Sequence, residues 1–380
     1  MSGTPFGRVV DLVAGKPSAD LPFRLGLEDV QSGTGRLVGG ADGDYEGSGT
    51  HFQAGDVLFG KLRPYLAKVW LSDREGEAVG DFHVYRPVPE RCDAGFLSWF
   101  VLSRAFLDPV SASVFGAKMP RADWKFIRTL SFPCFSLPGQ RAIADYLDRE
   151  TAQIDTLIAE QQRLIELLQE RREALREGAF APAGDHRVTT VKRVLLKLNR
   201  PAPKGLGVVT AYRDGAVTLR SNRREEGYTF ATSEEGYQEI QPGDVVFHAL
   251  DGFAGAVGVS DSHGVATPVY HVCTPVSGDD PHYIAQLLRF LGTSGFLETQ
   301  APSTRQRSVD FRNWSTFGRI ALSLPPAAVQ RKIVHDLSEK LAKIDTLIAE
   351  AERFIELAKE RRSALITAAV TGQIDIPGVE

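Results

Sequence analysis

The heptapeptide IDTLIAE occurs twice, at 154–160 and 344–350, in a sequence of 380 residues. Aligning 140–175 with 330–365 without gaps gives 21 identities in 36 positions, with QR, IDTLIAE, IEL, ERR and AL in register. Apolar residues fall at Leu147, Ile154, Leu157, Leu164, Leu168 and Leu175 in the first copy. Their counterparts are Leu337, Ile344, Leu347, Phe354, Ala358 and Leu365. Steps of three, four and seven predict a coiled-coil seam, thickened on a flank by Ile158 and Ile165. LPG and LPP stop the chain ahead of the copies, and Gly178 and Gly372 sit where each helix is expected to end. Helices of about 36–45 residues, roughly 55–65 Å long, need a partner when they carry one apolar stripe. The economical partner is the other copy.

The repeat extends beyond the helices. QAGDVLF (53–59) matches QPGDVVF (241–247), an apolar strand entered through a Gly-Asp turn, and FHVY (82–85) matches YHVC (270–273). Apolar helical stretches follow, FLSWFVLS (96–103) and YIAQLLRF (283–290), and then the basic loops GAKMPRADWKF (116–126) and STRQRSVDFRNW (303–314). The expected fold is α+β: two mixed α/β domains related by a pseudo-two-fold, separated by two long antiparallel coiled-coil helices. The divisions are 1–138 and 179–325 for the domains, 139–178 and 326–372 for the helices, and 373–380 for a tail.

Composition places the chain among ordinary globular proteins, with 43% hydrophobic and 24% charged residues. No run reaches the roughly 18 apolar residues of a membrane span, and the first residues lack the pattern of a signal peptide. A cytoplasmic protein is expected, with Cys92, Cys134 and Cys273 as reduced thiols. Net charge is −4, yet residues 192–224 carry nine Lys or Arg against the single Asp214.

No motif supplies catalysis. GDVLFGK (55–61) has the letters of a phosphate-binding loop, but Leu62 stands where magnesium needs a hydroxyl, and VLF reads as strand. There is no GxGxxG, no Asp/Asn-Pro-Pro-aromatic tetrapeptide and no nuclease-like carboxylate cluster. His248 and His271 lie in or beside predicted strands and read as packed residues, so no metal is expected. What recurs is basic residues among aromatic and small polar ones. Lys61, Arg63 and Lys68 surround Tyr65, and Arg220, Arg223 and Arg224 precede Tyr228. The loops ahead of the helices add Lys118, Arg121, Trp124, Arg305, Arg307 and Arg312. With His248 these form the candidate DNA-contact set, because Arg suits guanine edges and phosphates, and Lys suits phosphates. Duplicated contacts are what a duplicated reader requires.

At this point the sequence resembles the specificity subunit of type I restriction–modification enzymes. The resemblance spans essentially the whole chain. It rests on GLEDVQSGTGRL (26–37), GDVLFGKLRPYLAKVW (55–70), GAKMPRADW (116–124), NRREEGYT (222–229), FHALDGFAGAVGVSDSHG (247–264) and ERRSALITAAVTGQID (360–375). It implies that 1–138 and 179–325 are target-recognition domains, each reading half of a bipartite DNA site. The helices would set the spacer and dock two methylation subunits, which bind S-adenosylmethionine and methylate adenine at N6. Restriction subunits, with ATP and magnesium, would join that complex. Two departures stand out. The first helix ends REGAFAPAGD without the TAAVTGQI of the second, and KLRPYLAK (61–68) faces ALDGFAGA (249–256), so the two half-sites are expected to differ. A self-contained methyltransferase or nuclease would need the missing motifs. A structural coiled-coil tether would leave the basic loops without a purpose.

Overall fold

The computed structural model describes residues 3–15, 21, 23–38, 45, 47, 49–114, 119–181, 184–223, 236–276, 278–300, 304–305 and 308–379. The chain packs as two compact units, Met1–Leu164 with Glu350–Glu380, and Ile165–Ala349. Each unit contains part of both long helices.

In the first unit, β1 (Val10–Val13), β2 (Val57–Gly60), β3 (Val69–Leu71) and β4 (Phe82–Pro87) form an antiparallel sheet in the order β1–β4–β2–β3. The VLFG strand is an unbroken apolar run because both of its faces are covered. Val57 and Phe59 enter a core with Phe96, Phe100 and Leu147, while Leu58 enters a smaller core with Phe52, Trp70 and Val84. The repeated Gly-Asp before this strand has a physical reason. Gly55 adopts φ 89°, a left-handed conformation that side chains disfavour, and Asp56 is buried. The Asp56 carboxylate accepts from Arg86 at 2.8 and 2.7 Å and from the Gln53 amide at 2.9 Å.

The second unit repeats the plan. β5 (Leu195–Lys197), β6 (Val245–His248), β7 (Val257–Val259) and β8 (Tyr270–Pro275) are ordered β5–β8–β6–β7. Gly243 adopts φ 93°, and buried Asp244 accepts from Arg200 at 2.6 and 2.9 Å and from the Gln241 amide at 2.7 Å. The fold is the α+β architecture that the repeat predicts.

The long helices run Leu137–Phe180 and Ala327–Val370. Pro138 lies inside the first turn, where its missing N–H costs nothing, so LPG belongs to the helix rather than stopping the chain before it. Gly178 is likewise helical, not terminal, whereas Gly372 at φ 70° follows the last turn of the second helix. The repeated QR has a structural role. Gln140 and Gln330 are buried, and each side chain clamps the start of its long helix to the cap of a shorter one. Gln140 accepts from the Asp93 amide at 2.8 Å and donates to Arg91 O and Phe135 O. Gln330 accepts from the Asp280 amide at 2.9 Å and donates to Asp279 Oδ1 and Pro325 O. Asp93 and Asp280 cap the helices Ala94–Leu102 and Pro281–Thr293.

The repeated helices pair antiparallel. In the first unit Arg362 Nε lies 2.9 Å from Asp155 Oδ1, and in the second Arg172 Nη1 lies 2.9 Å from Asp345 Oδ1. One partner advances 17 residues while the other retreats 17, the register of an antiparallel pair. The Asp of each IDTLIAE therefore meets the second Arg of ERR from the other copy.

The covered positions of the first helix advance by four and three: Leu147, Thr151, Ile154, Ile158, Gln161, Ile165, Leu168, Arg172 and Leu175. In the second helix they are Leu337, Leu341, Ile344, Ile348, Ala351, Ile355, Ala358, Arg362 and Leu365. This corrects the expected seam. Ile158 and Ile165 lie on it rather than beside it, and Leu157, Leu164, Leu347 and Phe354 are exposed, at 45%, 39%, 46% and 41%. Those four sit one residue before a seam position, so a heptad places them on a flank instead of in the seam.

Candidate nucleic-acid interface and helix flank

The basic loop of the first unit is a strained turn. After β2 the chain makes a 3-10 turn at Pro64–Leu66 between Arg63 (φ 52°) and Ala67 (φ 48°), both left-handed although neither is glycine. Such conformations cost on the order of 1–3 kcal/mol and persist where surrounding contacts impose them. Here the Arg63 amide donates to Pro120 O at 2.9 Å, the Ala122 amide to Lys61 O at 2.8 Å, and the Gly33 amide to Ala67 O at 2.9 Å. The turn projects Tyr65, 61% exposed, next to exposed Arg63.

The other candidates of this unit are engaged. Arg121 Nε lies 3.0 Å from both oxygens of Asp81, with Lys61 Nζ 3.9 Å from the same carboxylate. The Asp81 hydrogen bond raises the Arg121 pKa and fixes the guanidinium beside the turn. Lys68 is half-buried, and its ammonium donates to Leu27 O. Trp124 also departs from the expected contact set, packing its ring 5.6 Å from Tyr85 and 6.1 Å from Phe6. Lys118 lies outside the described residues.

In the second unit the diverged segment has a kindred backbone. A 3-10 turn at Gly252–Ala254 precedes Gly255 at φ 96°, the counterpart of Ala67. Its tip carries Phe253 where the first unit has Tyr65. His248 serves this loop: Nδ1 accepts from the Leu250 and Asp251 amides at 3.3 and 3.0 Å, and burial lowers its pKa. It is therefore a loop staple, with its ring edge-on to Tyr270 at 4.6 Å. Arg220 Nε donates to Thr210 Oγ1 at 3.0 Å. Arg223 lies 2.6 Å from Asp214 and stacks over Tyr212 at 4.7 Å. Arg312 makes a fork with Asp310, which raises its pKa. Arg305 stands in a short hairpin pairing Thr304–Arg305 with Ser308–Val309, and its side chain lies outside the description, as do Arg224 and Arg307.

Two features emerge only in the folded chain. Arg36, 59% exposed in its side chain, lies 3.1 Å from Asp155 Oδ2 and ties GLEDVQSGTGRL to the first helix by charge. The second feature is the exposed helix flank. In the first unit Leu157 and Leu164 from one helix and Phe354 and Leu357 from the other occupy the two heptad positions on the same side of the seam. The rest of the first unit packs on the other side, where Ile158, Gln162, Lys359 and Ser363 line a cleft with Thr34 and Tyr65. Leu167 and Leu347 hold the corresponding flank positions in the second unit. The signal for this flank was present in the same leucines that suggested the seam.

No helix among the described residues is long and apolar enough to cross a membrane. No protein-family model matches the chain. A 158-residue stretch, 40% of this chain, is 27% identical to the type I restriction enzyme EcoDI specificity subunit of Escherichia coli, and spans about a third (35%) of that relative. The HsdS subunit from Thermoanaerobacter tengcongensis matches over 98% of this chain and 96% of its own, with TM-score 0.61 and 15% identity. A chain from a structure on complex assembly and conformational transition of the type I R-M system matches over 98% and 97%, with TM-score 0.70 and 15% identity. The fold is thus that of HsdS subunits. In sequence and in architecture the chain resembles a type I restriction–modification specificity subunit.

Proposed function

We propose that this chain is the non-catalytic DNA-recognition subunit of a type I restriction–modification complex. The duplication carries the reading: one sheet order, one Gly-Asp entry and one 3-10 turn occur twice, each with its own surface residues. Each domain reads one half of a bipartite target, and the paired helices act as the ruler that sets the unspecified gap. Phosphate contacts supply most of the affinity and its salt dependence, while few side chains discriminate bases. Arg63 and Tyr65 are the leading readers of the first half-site. Arg121, Arg223 and Arg312, held by carboxylates, exchange those partners for DNA. Arg305 belongs to the second reader.

The apolar flank of the helix pair is the docking face for methylation subunits, whose S-adenosylmethionine supplies the methyl group for adenine N6. Base flipping is those subunits' work. Restriction subunits, with ATP and magnesium, complete the complex, which is cytoplasmic. Single-molecule methylation mapping of the host tests this reading. A two-part adenine motif with a fixed gap disappears when the gene is deleted, whereas an unchanged methylome overturns it.

A further inference from the structure

We infer that Arg362 is the positioning residue that holds the reading turn of the first reader in one place on the ruler. It stands on the seam of the second helix with 7% of its surface exposed. Its guanidinium addresses three elements at once. Nε lies 2.9 Å from Asp155 Oδ1 on the first helix, Nη1 2.7 Å from Gly33 O, and Nη2 3.2 Å from Thr34 O of the reader. The guanidinium carbon lies 5.7 Å from the Trp99 ring centroid, and Trp99 Nε1 is anchored to Asp148 Oδ1 at 2.9 Å. Arg36, from the same reader loop, closes a second bridge to Asp155 at 3.1 Å.

The geometry leaves little freedom. A planar fork of donors cannot follow a moving loop as a flexible ammonium can, and a buried cation that loses its acceptors is strongly penalised. Gly33 and Gly35, at φ 73° and 79°, let the loop take the bend at which it meets Arg362. The Gly33 amide then donates to Ala67 O, the residue that ends the turn bearing Arg63 and Tyr65. One continuous network therefore runs from both helices through Arg362 to the tip that faces DNA. Nearby, the Arg104 amide donates to Thr367 Oγ1 at 3.1 Å and Arg104 Nε to Ser363 Oγ at 3.2 Å, a second, weaker attachment to the same helix. Leu147 of the first helix and Ile366, Ala369 and Val370 of the second join the reader's apolar core, so removing Arg362 leaves the reader folded and attached and frees the loop at 31–36 and the turn it braces.

This rests on the ruler reading, and the test separates the two. In the complex with its methylation partner, Arg362→Ala keeps both half-site sequences. It raises modification at gaps one base pair shorter or longer to at least a tenth of the level at the original gap, ten or more times above wild type. Arg362→Lys and Arg36→Ala give smaller increases in that order, and serve in place of Arg362→Ala should it fail to fold. Modification confined to the original gap in these variants, at whatever overall level, overturns the inference, since simple destabilisation lowers the level without spreading the gap. Independently of any DNA, Arg362→Ala speeds amide hydrogen exchange at Gln31–Arg36 tenfold or more, and unchanged exchange there overturns it as well. A wild-type complex with no two-part motif sinks the ruler reading, while the exchange result still decides the role of Arg362.

Discussion

Four residues inserted between Gln161 and Gln162 lengthen the first long helix by about 6 Å. They add about 1.1 turns and rotate the following seam by roughly 40°, a stutter that coiled coils absorb by local unwinding. The reciprocal ion pairs bracket the insertion, Asp155–Arg362 before it and Arg172–Asp345 after it, so each side keeps its own register. Because the second helix is unchanged, the pair lengthens by an amount between zero and about 6 Å, with a midpoint near 3 Å. That is about the 3.4 Å rise of one base pair, which turns the duplex by only about 35°. Repeating the insertion between Ala351 and Glu352 removes the compromise and delivers the full 6 Å, about two base pairs. Each variant is expressed with its methylation partner and the modified adenines are mapped by single-molecule sequencing. The expected series is a gap longer by one and then two base pairs, with half-sites unchanged. A gap that stays constant in both variants, or half-sites that change while the gap does not, refutes the ruler.

Other consequences are more local. Leu157→Glu or Phe354→Glu leaves the melting temperature of the chain within about 2 °C and weakens association with the methylation subunit roughly tenfold or more. Covering the exposed part of such a side chain contributes about 1–2 kcal/mol, and calorimetric titration of the two subunits measures the loss. His83 and His271 are buried neutral, and desolvation holds the pKa of each at about 4, against 6.5 when unfolded. The unfolded chain therefore takes up protons that the folded chain refuses, and stability is full above about pH 6.5 and lost progressively down to about pH 4. The loss reaches about 3 kcal/mol per histidine, and urea midpoints at pH 7.5 and 4.5 report it. His271→Gln flattens that slope, and an unchanged slope would falsify the assignment. Tyr65→Ala, at an exposed ring, leaves folding intact and relaxes the first half-site only. Arg223→Ala relaxes the second half-site only, each by about 1–3 kcal/mol if the contact is to a base, as competition binding with half-site variants would read.

Much of the architecture was legible because the repeat couples distant parts of the chain to one another. QAGDVLF and QPGDVVF could be read as equivalent strands since their letters answer local demands: a left-handed glycine, a buried aspartate, and a strand covered on both faces. The helix pair was legible for the same reason. The choice of seam was not, because Leu157 and Leu164 obey a seven-residue period as well as Ile158 and Ile165 do. Periodicity alone does not say which apolar stripe faces the other helix and which is left exposed. Thr151, Gln161 and Arg362 on the true seam are polar; Thr151 donates to Leu147 O of its own helix, and Arg362 meets Asp155 of the other helix and the carbonyls of Gly33 and Thr34. The candidate DNA contacts were least legible. Lys68, Trp124 and His248 have the right chemistry for DNA, but tertiary packing turned them toward a carbonyl, a core and a loop backbone. Such orientation is decided by contacts remote in sequence, as between Lys68 and Leu27 or Trp124 and Phe6.

On the proposed function, this chain supplies two-part sequence recognition to a methylation partner that lacks it. Expressing the chain with that partner in a bacterium without the modification tests it directly, with the methylome read at single-molecule resolution. A two-part adenine motif with one fixed gap should appear only when both proteins are present. Exchanging residues 179–325 for those of a relative should then change the second half alone. The same motif produced by the partner without this chain, or a continuous motif with no gap, would contradict the claim.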